Sequence, residues 1–180
     1  MLNEIEHYTP QVVLKKQRAQ ALTVWGIFAF LIAGLIFSIL LAPLAEAASL
    51  TTVSQPIYNF FSYICHQIPD RSFHIEAHSF AVCSRCFGVY VGLLFGFFAY
   101  PFFRSIESLE PPPRFWLFLA LIPMGVDWSL GFFGVLENNH LSRFLTGLIV
   151  GATCATFIVP ALIELAQLSS RKRQAKRLSR

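Results

Sequence analysis

The chain has 180 residues, of which 55% are hydrophobic and 13% are charged, and its formal net charge is +4. About a quarter of the residues of a soluble domain are charged, so this composition excludes a soluble domain and predicts a membrane protein. Four segments are long and apolar enough to cross a bilayer, which takes about 20 mostly apolar residues per helix; they cover residues 22–42, 79–103, 115–136 and 141–166. Because no other part of the chain could bury its own core, we predict one all-α membrane domain over residues 1–180, a four-transmembrane-helix bundle.

The end of the first span resembles a signal-peptide cleavage site, because Ala45-Glu46-Ala47 has the small-x-small pattern. The apolar run before it is about 20 residues long, which exceeds the usual 7–15 residues of a signal core. We therefore expect a retained helix.

The distribution of lysine and arginine predicts the orientation of the chain. Three of these residues precede the first span, Arg104 and Arg114 lie in the loop 104–114, and six lie in the tail 167–180. With four spans, all eleven fall on one side of the membrane, so we predict an inner (plasma) membrane protein whose termini, 1–21 and 167–180, are both cytoplasmic. The basic tail directly follows a membrane helix, and we expect it to lie against anionic lipid and not to bind nucleic acid.

The segment 43–78 is then extracytoplasmic and is predicted to contain a short interfacial helix over residues 55–67. Ser54 is the expected cap and Pro56 lies in the first turn. Pro69 disfavours helical geometry at the residue before it. This helix would present Cys65 and His66 at the membrane surface.

The second span starts on the same side, with Cys83 and Cys86 three residues apart and therefore on one helical face. A helix N-terminus stabilises a thiolate and so favours metal ligation or nucleophilic attack. The opposite face is a stripe of small residues, and the fourth span has a matching stripe, which predicts close packing of these two helices in lipid. The stripes are Ser84, Gly88, Gly92 and Gly96 in the second span and Gly147, Gly151 and Ala155 in the fourth.

Charged residues are predicted to gather near the cysteines. Arg85 projects toward a neighbouring helix, and an unpaired charge in hydrocarbon is costly. Asp127 is the acid that lies well inside a span, and Arg143 opens the fourth span after the outer turn 137–140. We expect Asp127 to pair with Arg85 or Arg143 and, together with Arg71, to line a polar pocket. These four residues are the candidates for a catalytic role, and a purely structural helix-to-helix pair is the alternative.

The cysteines and histidines allow three interpretations. The first is a tetrahedral zinc site formed by Cys65, His66, Cys83 and Cys86. Because adjacent residues rarely bind the same ion, His74 or His78 is an alternative fourth ligand. The second is a thiol–disulfide oxidoreductase that can pass its electrons to a quinone. The third is a structural disulfide. Three thiols favour the first two, since a simple disulfide leaves one thiol over. Cys154, alone in the fourth span, is expected to pack.

The chain resembles a family of small prokaryotic membrane proteins classed as a domain of unknown function. The resemblance covers about residues 56 to 152 and lies in three motifs and one aspartate. It implies a bacterial or archaeal membrane protein and supplies no activity. Where family members have Asp-Gly followed by Gln, this chain has Asp127-Trp128, which removes the amide side chain. The motifs are Cys65-His66 with Arg71-Ser72-Phe73, then Cys83-x-Arg85-Cys86-x-Gly88-x-Tyr90-x-Gly92, Asp127, and Arg143-x-x-Thr146-Gly147.

The sequence therefore predicts a zinc-binding membrane protein with an extracytoplasmic site. The bilayer is one expected partner, and an anionic small molecule or lipid headgroup is another, because the pocket is positively charged. A small transporter or a headgroup-binding protein is a further alternative, and a homo-oligomer is left open. Whether the protein is an enzyme is not predicted.

Overall fold

The structure is a computed structural model that describes residues 11–106, 108, 110–135 and 138–178. Over these residues it contains five α-helices and one β-hairpin. The elements are α1 (Gln11–Ala47), α2 (Thr51–Ser62), β1 (His74–Ile75), β2 (His78–Ser79), α3 (Ser84–Phe103), α4 (Phe115–Phe132) and α5 (His140–Leu178).

Four of the helices are long and apolar enough to cross a membrane, which confirms the predicted fold class. These stretches are Lys15–Ala47 in α1, Ser84–Phe103 in α3, Phe115–Phe132 in α4 and His140–Ser170 in α5. The first and last helices, α1 and α5, extend well past the predicted spans 22–42 and 141–166, because both continue as helix into their polar flanks. Four parts of the predicted layout include residues outside the described ones: the N-terminal residues 1–10, residues 107 and 109 of the loop 104–114, residues 136 and 137 at the outer turn, and the last two residues of the tail.

The second span begins later than predicted, at Ser84 and not at 79. The preceding residues form the β-hairpin, in which Ile75 pairs with His78. The turn residues Glu76 and Ala77 both have positive φ, at 48° and 68°, which is the geometry of a tight two-residue hairpin turn.

Helices α3 and α5 pack with their backbones in close contact, as the two stripes of small residues predict. A Cβ atom added to Gly88 would overlap the main chain of Phe144, and one at Gly92 would lie 2.9 Å from the backbone nitrogen of Ala152. Gly151 leaves the same room for the backbone of α3. In lipid, such small residues allow the close approach that holds two helices together.

Helix α1 is attached to α3 by a hydrogen bond that a proline makes available. Pro101 has no N–H, so the carbonyl of Phe97 four residues earlier lacks its usual helical donor. The indole N–H of Trp25 donates to that carbonyl at 2.8 Å. Beside this contact the side chains of Phe97 and Tyr100 are buried in an apolar core shared by α1, α3 and α5.

The short helix α2 differs from the predicted helix 55–67 at both ends. It begins at Thr51, and Ser54 is not its cap but a fully buried residue within the helix that donates a hydrogen bond to the carboxylate of Glu46 in α1. It ends at Ser62, because the chain turns there and Gln67 has a positive φ of 51°. The amide of Gln67 then donates to the carbonyl oxygens of Tyr58 and Ala81, both at 2.8 Å.

Helix α4 is the least buried of the four spans. Ala120 is its one buried residue in the described structure, whereas Trp116, Ile122 and Trp128 each expose more than half of their surface. Its main neighbour is α5. A gap therefore separates α4 from α3, and the cavities described below lie at the two ends of this gap.

Candidate metal centre and adjoining cavity

Three cysteine side chains meet at one end of the bundle. Cys65 follows α2 and donates its backbone N–H to the carbonyl of Phe61 at 2.9 Å, which continues the last helical turn. Cys83 is the N-cap residue of α3, and Cys86 lies in the first turn of that helix. The three sulfur atoms all lie within 4.8 Å of one another.

The environment of Cys65 stabilises its thiolate form. Side-chain hydrogen bonds from Cys83 and then Cys86 hold the pKa of the Cys65 thiol far below its usual range, although burial acts in the opposite direction. Backbone N–H groups of Cys83 and Gln67 add to this effect, and the N–H of Cys83 lies 3.2 Å from the Cys65 sulfur. A thiolate is the form in which cysteine binds a metal or attacks a disulfide.

The structure does not bring a histidine into this group of sulfur atoms. His66 lines the cavity beside the cysteines, but within the described part of the chain the set of mutually close ligand atoms consists of the three sulfurs. The alternative fourth ligands, His74 and His78, lie in the two strands of the hairpin and are not part of this group.

A cavity of about 550 Å³ adjoins the cysteines, and all three of them line it. Three residues of the predicted pocket, Arg71, Arg85 and Arg143, line the same cavity. The fourth, Asp127, is not among the residues that line it.

Asp127 pairs with Arg85, the first of the two partners that the sequence leaves open. The Arg85 Nη2 lies 2.5 Å from the Asp127 Oδ2, and their side chains are 23% and 11% exposed. Asn138 donates to the same carboxylate oxygen at 3.1 Å and to the backbone carbonyl of Asp127. Gly131 makes room for this contact, since a Cβ there would lie 2.8 Å from the side-chain oxygen of Asn138.

Two polar contacts that hold the site together have no signal in the sequence. The hydroxyl of Ser84 lies 2.9 Å from the Nδ1 of His140, which joins the first residues of α3 and α5. The ring of His140 also packs on Phe73, with centroids 5.5 Å apart. The second contact is the pair of hydrogen bonds that the Gln67 amide donates to the carbonyl oxygens of Tyr58 and Ala81. An amide or an imidazole of this kind gives no periodic signal, because its partners are atoms of distant segments that the fold brings together.

Three soft sulfur donors at this spacing suit a thiophilic ion such as Zn²⁺. They would fill three positions of a tetrahedral site and leave the fourth facing the cavity. A divalent ion on three thiolates carries one net negative charge, which the nearby arginines would stabilise. Without an ion, the same three thiols can form a disulfide in more than one pairing.

The family model described as "Predicted membrane protein (DUF2085)" matches residues 65–157. The chain belongs to this family. The matched region begins at the first cysteine of the site and includes the other two cysteines, the three cavity arginines and Asp127, so the resemblance noted in the sequence is confirmed.

Two archaeal relatives of this family member are similar over much of their length. An uncharacterized protein of Methanocaldococcus jannaschii is 42% identical over 142 residues, which cover 75% of this chain and 91% of the relative. An uncharacterized protein of Methanothermobacter thermautotrophicus is 40% identical over 91 residues, covering 51% of this chain and 80% of the relative. No solved structure matches.

Proposed function

We propose that the protein binds one transition metal ion, zinc, through Cys65, Cys83 and Cys86. The observation that carries this proposal is the mutual proximity of the three sulfur atoms, all within 4.8 Å of one another. Zinc–sulfur bonds are about 2.3 Å long, so sulfurs at this spacing are close enough to share an ion. The ion would join the segment after α2 to the start of α3.

The fourth position of the metal would face the cavity that Arg71, Arg85 and Arg143 line. His66 lines the same cavity and would become the fourth ligand if its side chain turned toward the sulfurs. Otherwise the position would be filled from outside the chain. Because Asp127 is already paired with Arg85, the other two arginines favour an oxyanion, either free or as a lipid headgroup.

We place this site on the extracytoplasmic face of the inner membrane. The support is the distribution of basic residues, most of which lie at the other end of the spans. The chain termini would then both be cytoplasmic. Phe60 in α2 and Ile64 just after it are exposed, which suits contact of this segment with the membrane surface.

Metal analysis of the full chain tests the proposal. Protein purified in detergent with reductant and without chelator should contain one zinc per chain. Cys65→Ser, Cys83→Ser and Cys86→Ser should each lose it, whereas the matched control Cys154→Ser should keep it. Circular dichroism would show that each variant retains its helices.

The oxyanion part has its own test. Isothermal titration of the zinc-loaded protein with inorganic phosphate, and separately with an anionic phospholipid in detergent, distinguishes a free anion from a headgroup. Arg71→Gln should weaken whichever of the two binds. Zinc retention with no binding of either would overturn the oxyanion part alone.

A thiol–disulfide oxidoreductase is the second candidate, and the lowered pKa of Cys65 favours it. A thiolate of a partner protein would attack a disulfide between Cys65 and a second site cysteine, and Cys65 would leave as a thiolate. The partner's second thiol would then close the partner's own disulfide and release the second site cysteine as a thiol. A quinone would reoxidise the two site cysteines by taking up two electrons and two protons. Protein without zinc, with a bond between two site cysteines that dithiothreitol reduces, would reject the zinc proposal in favour of this one.

A further inference from the structure

A second cavity, of about 420 Å³, lies at the opposite end of the gap between α3 and α4. Its base is formed by small residues of α3 and α5, Gly96, Ala99 and Ala152. Its mouth is lined by Arg104, just after the end of α3, and by Trp116, in the first turn of α4. This cavity shares no residue with the cysteine site.

The cavity contains a buried polar group whose hydrogen-bonding capacity is unused. Tyr100 lines it and is only 3% exposed. The hydroxyl oxygen of Tyr100 is buried and has no hydrogen-bond partner within the described part of the chain. Leaving such a group unpaired costs about 1–3 kcal/mol.

The polar groups around the mouth are hydrogen-bond donors. Arg104 lies beside the Tyr100 hydroxyl, and its Nη1 donates to the carbonyl of Glu110 at 2.5 Å, which fixes the guanidinium at the mouth. Trp116 adds an indole ring, and tryptophan is typical of the headgroup level of a membrane. A hydroxyl and a guanidinium side by side suit a ligand that accepts hydrogen bonds and carries negative charge.

The remaining walls of the cavity are apolar and open toward the bilayer. Phe95 and Phe103 line it and are 63% and 85% exposed. A free inorganic anion would use the donors and leave this apolar surface unused. A lipid would use both, since its phosphate would meet the donors and its acyl chain would lie in the apolar groove beside them.

We propose that this cavity binds one anionic phospholipid. The phosphate accepts hydrogen bonds from the Tyr100 hydroxyl and the Arg104 guanidinium, and one acyl chain lies over Gly96 and Ala152 in the groove between α3 and α4. The lipid fills the gap that the loose packing of α4 leaves. The site does not depend on the cysteine centre.

Native mass spectrometry of the full chain in detergent tests the proposal with phosphatidylglycerol, with phosphatidylcholine of the same acyl chains, and with inorganic phosphate. One phosphatidylglycerol should be retained about tenfold more strongly than phosphatidylcholine, because both lipids carry the phosphate but the choline cation of the second repels the Arg104 guanidinium. Arg104→Gln should abolish this preference, and Tyr100→Phe, which removes a single oxygen atom, should weaken the retention of both lipids. Arg114→Gln and Tyr63→Phe change the same residue types at exposed positions and should have no effect.

Equal retention of the two lipids would overturn the proposal, as would a preference that survives Arg104→Gln or a lipid retention that Tyr100→Phe leaves unchanged. Binding of inorganic phosphate that displaces the lipid would also overturn it, in favour of a free-anion site. The zinc content of each variant is measured on the same samples. It should match that of the wild-type chain, and a parallel loss would show that the change disturbs the whole fold.

Discussion

Helix α3 is held against α5, and α4 is held against its two neighbours α3 and α5, by different means. Six residues of α3 are buried, and three of them are glycines whose missing side chains let the α5 backbone approach. In the described part of α4 the one buried residue is Ala120. Polar contacts supplement this loose packing: the ion pair of Asp127 with Arg85 and the bonds that Asn138 makes to Asp127.

The difference shows how two kinds of helix contact operate where the hydrophobic effect between helices is absent. In lipid, apolar side chains gain little by meeting one another, so helices associate through close backbone packing or through polar pairs. The first kind is continuous and rigid. The second acts at one point, and it leaves the two cavities open on either side of it.

The largest effect that the comparison predicts is for a glycine of the α3–α5 contact. Gly92→Leu would place side-chain atoms where the backbone of Leu148 and Ala152 lies. Because main-chain atoms cannot turn aside, the helices must separate, and we expect a loss of about 3 kcal/mol in the free energy of unfolding. Unfolding by sodium dodecyl sulfate in mixed micelles, followed by circular dichroism, measures this loss.

Gly125→Leu in α4 is the matched control. A Cβ at Gly125 would meet no atom within 4 Å, so the same change there should alter the stability by less than about 0.5 kcal/mol. Similar losses of stability for the two variants would show that α4 is packed as tightly as α3.

The next effect concerns the ion pair that attaches α4. Asp127→Asn leaves the charge of Arg85 without its partner, and we expect a loss of about 2 kcal/mol. This is below the 3–5 kcal/mol of a fully buried pair, because the two side chains are 23% and 11% exposed. The same unfolding measurement on Arg85→Gln and on the double variant should show losses that are not additive. Strict additivity would mean that the two residues stabilise the fold independently.

The smallest effect is expected at Asn138. Asn138→Ala removes two hydrogen bonds to Asp127 and should cost about 1 kcal/mol. Asn59→Ala removes an exposed bond within α2 and should cost less than about 0.5 kcal/mol. A larger loss at Asn59 than at Asn138 would contradict the view that Asn138 helps to hold α4.

The features that the sequence predicts are those with a repeating or an electrostatic signal. The four spans follow from hydropathy, and the α3–α5 contact follows from glycines spaced four residues apart. The pairing of Asp127 with an arginine follows from the cost of an isolated charge in hydrocarbon, whereas the choice of Arg85 over Arg143 comes from the structure. Cys83 and Cys86 share a helical face because their separation is three residues.

What the sequence does not predict is irregular or depends on distant atoms. The hairpin strands are two residues long, too short for a periodic pattern, and their turn uses Glu76 and Ala77 where glycine or asparagine is usual. Ser54 is buried inside α2, where it donates to Glu46 of another helix. Likewise, no local signal separates His66, which stays outside the sulfur group, from a ligand.

The most direct test of the metal centre is X-ray absorption at the zinc edge of the purified full chain. We expect the zinc ion to have three sulfur neighbours at about 2.3 Å and one lighter atom. The spectrum of His66→Ala would show whether that atom is an imidazole nitrogen or comes from outside the chain. One or two sulfur neighbours, or a wild-type chain without zinc, would contradict a centre built on Cys65, Cys83 and Cys86.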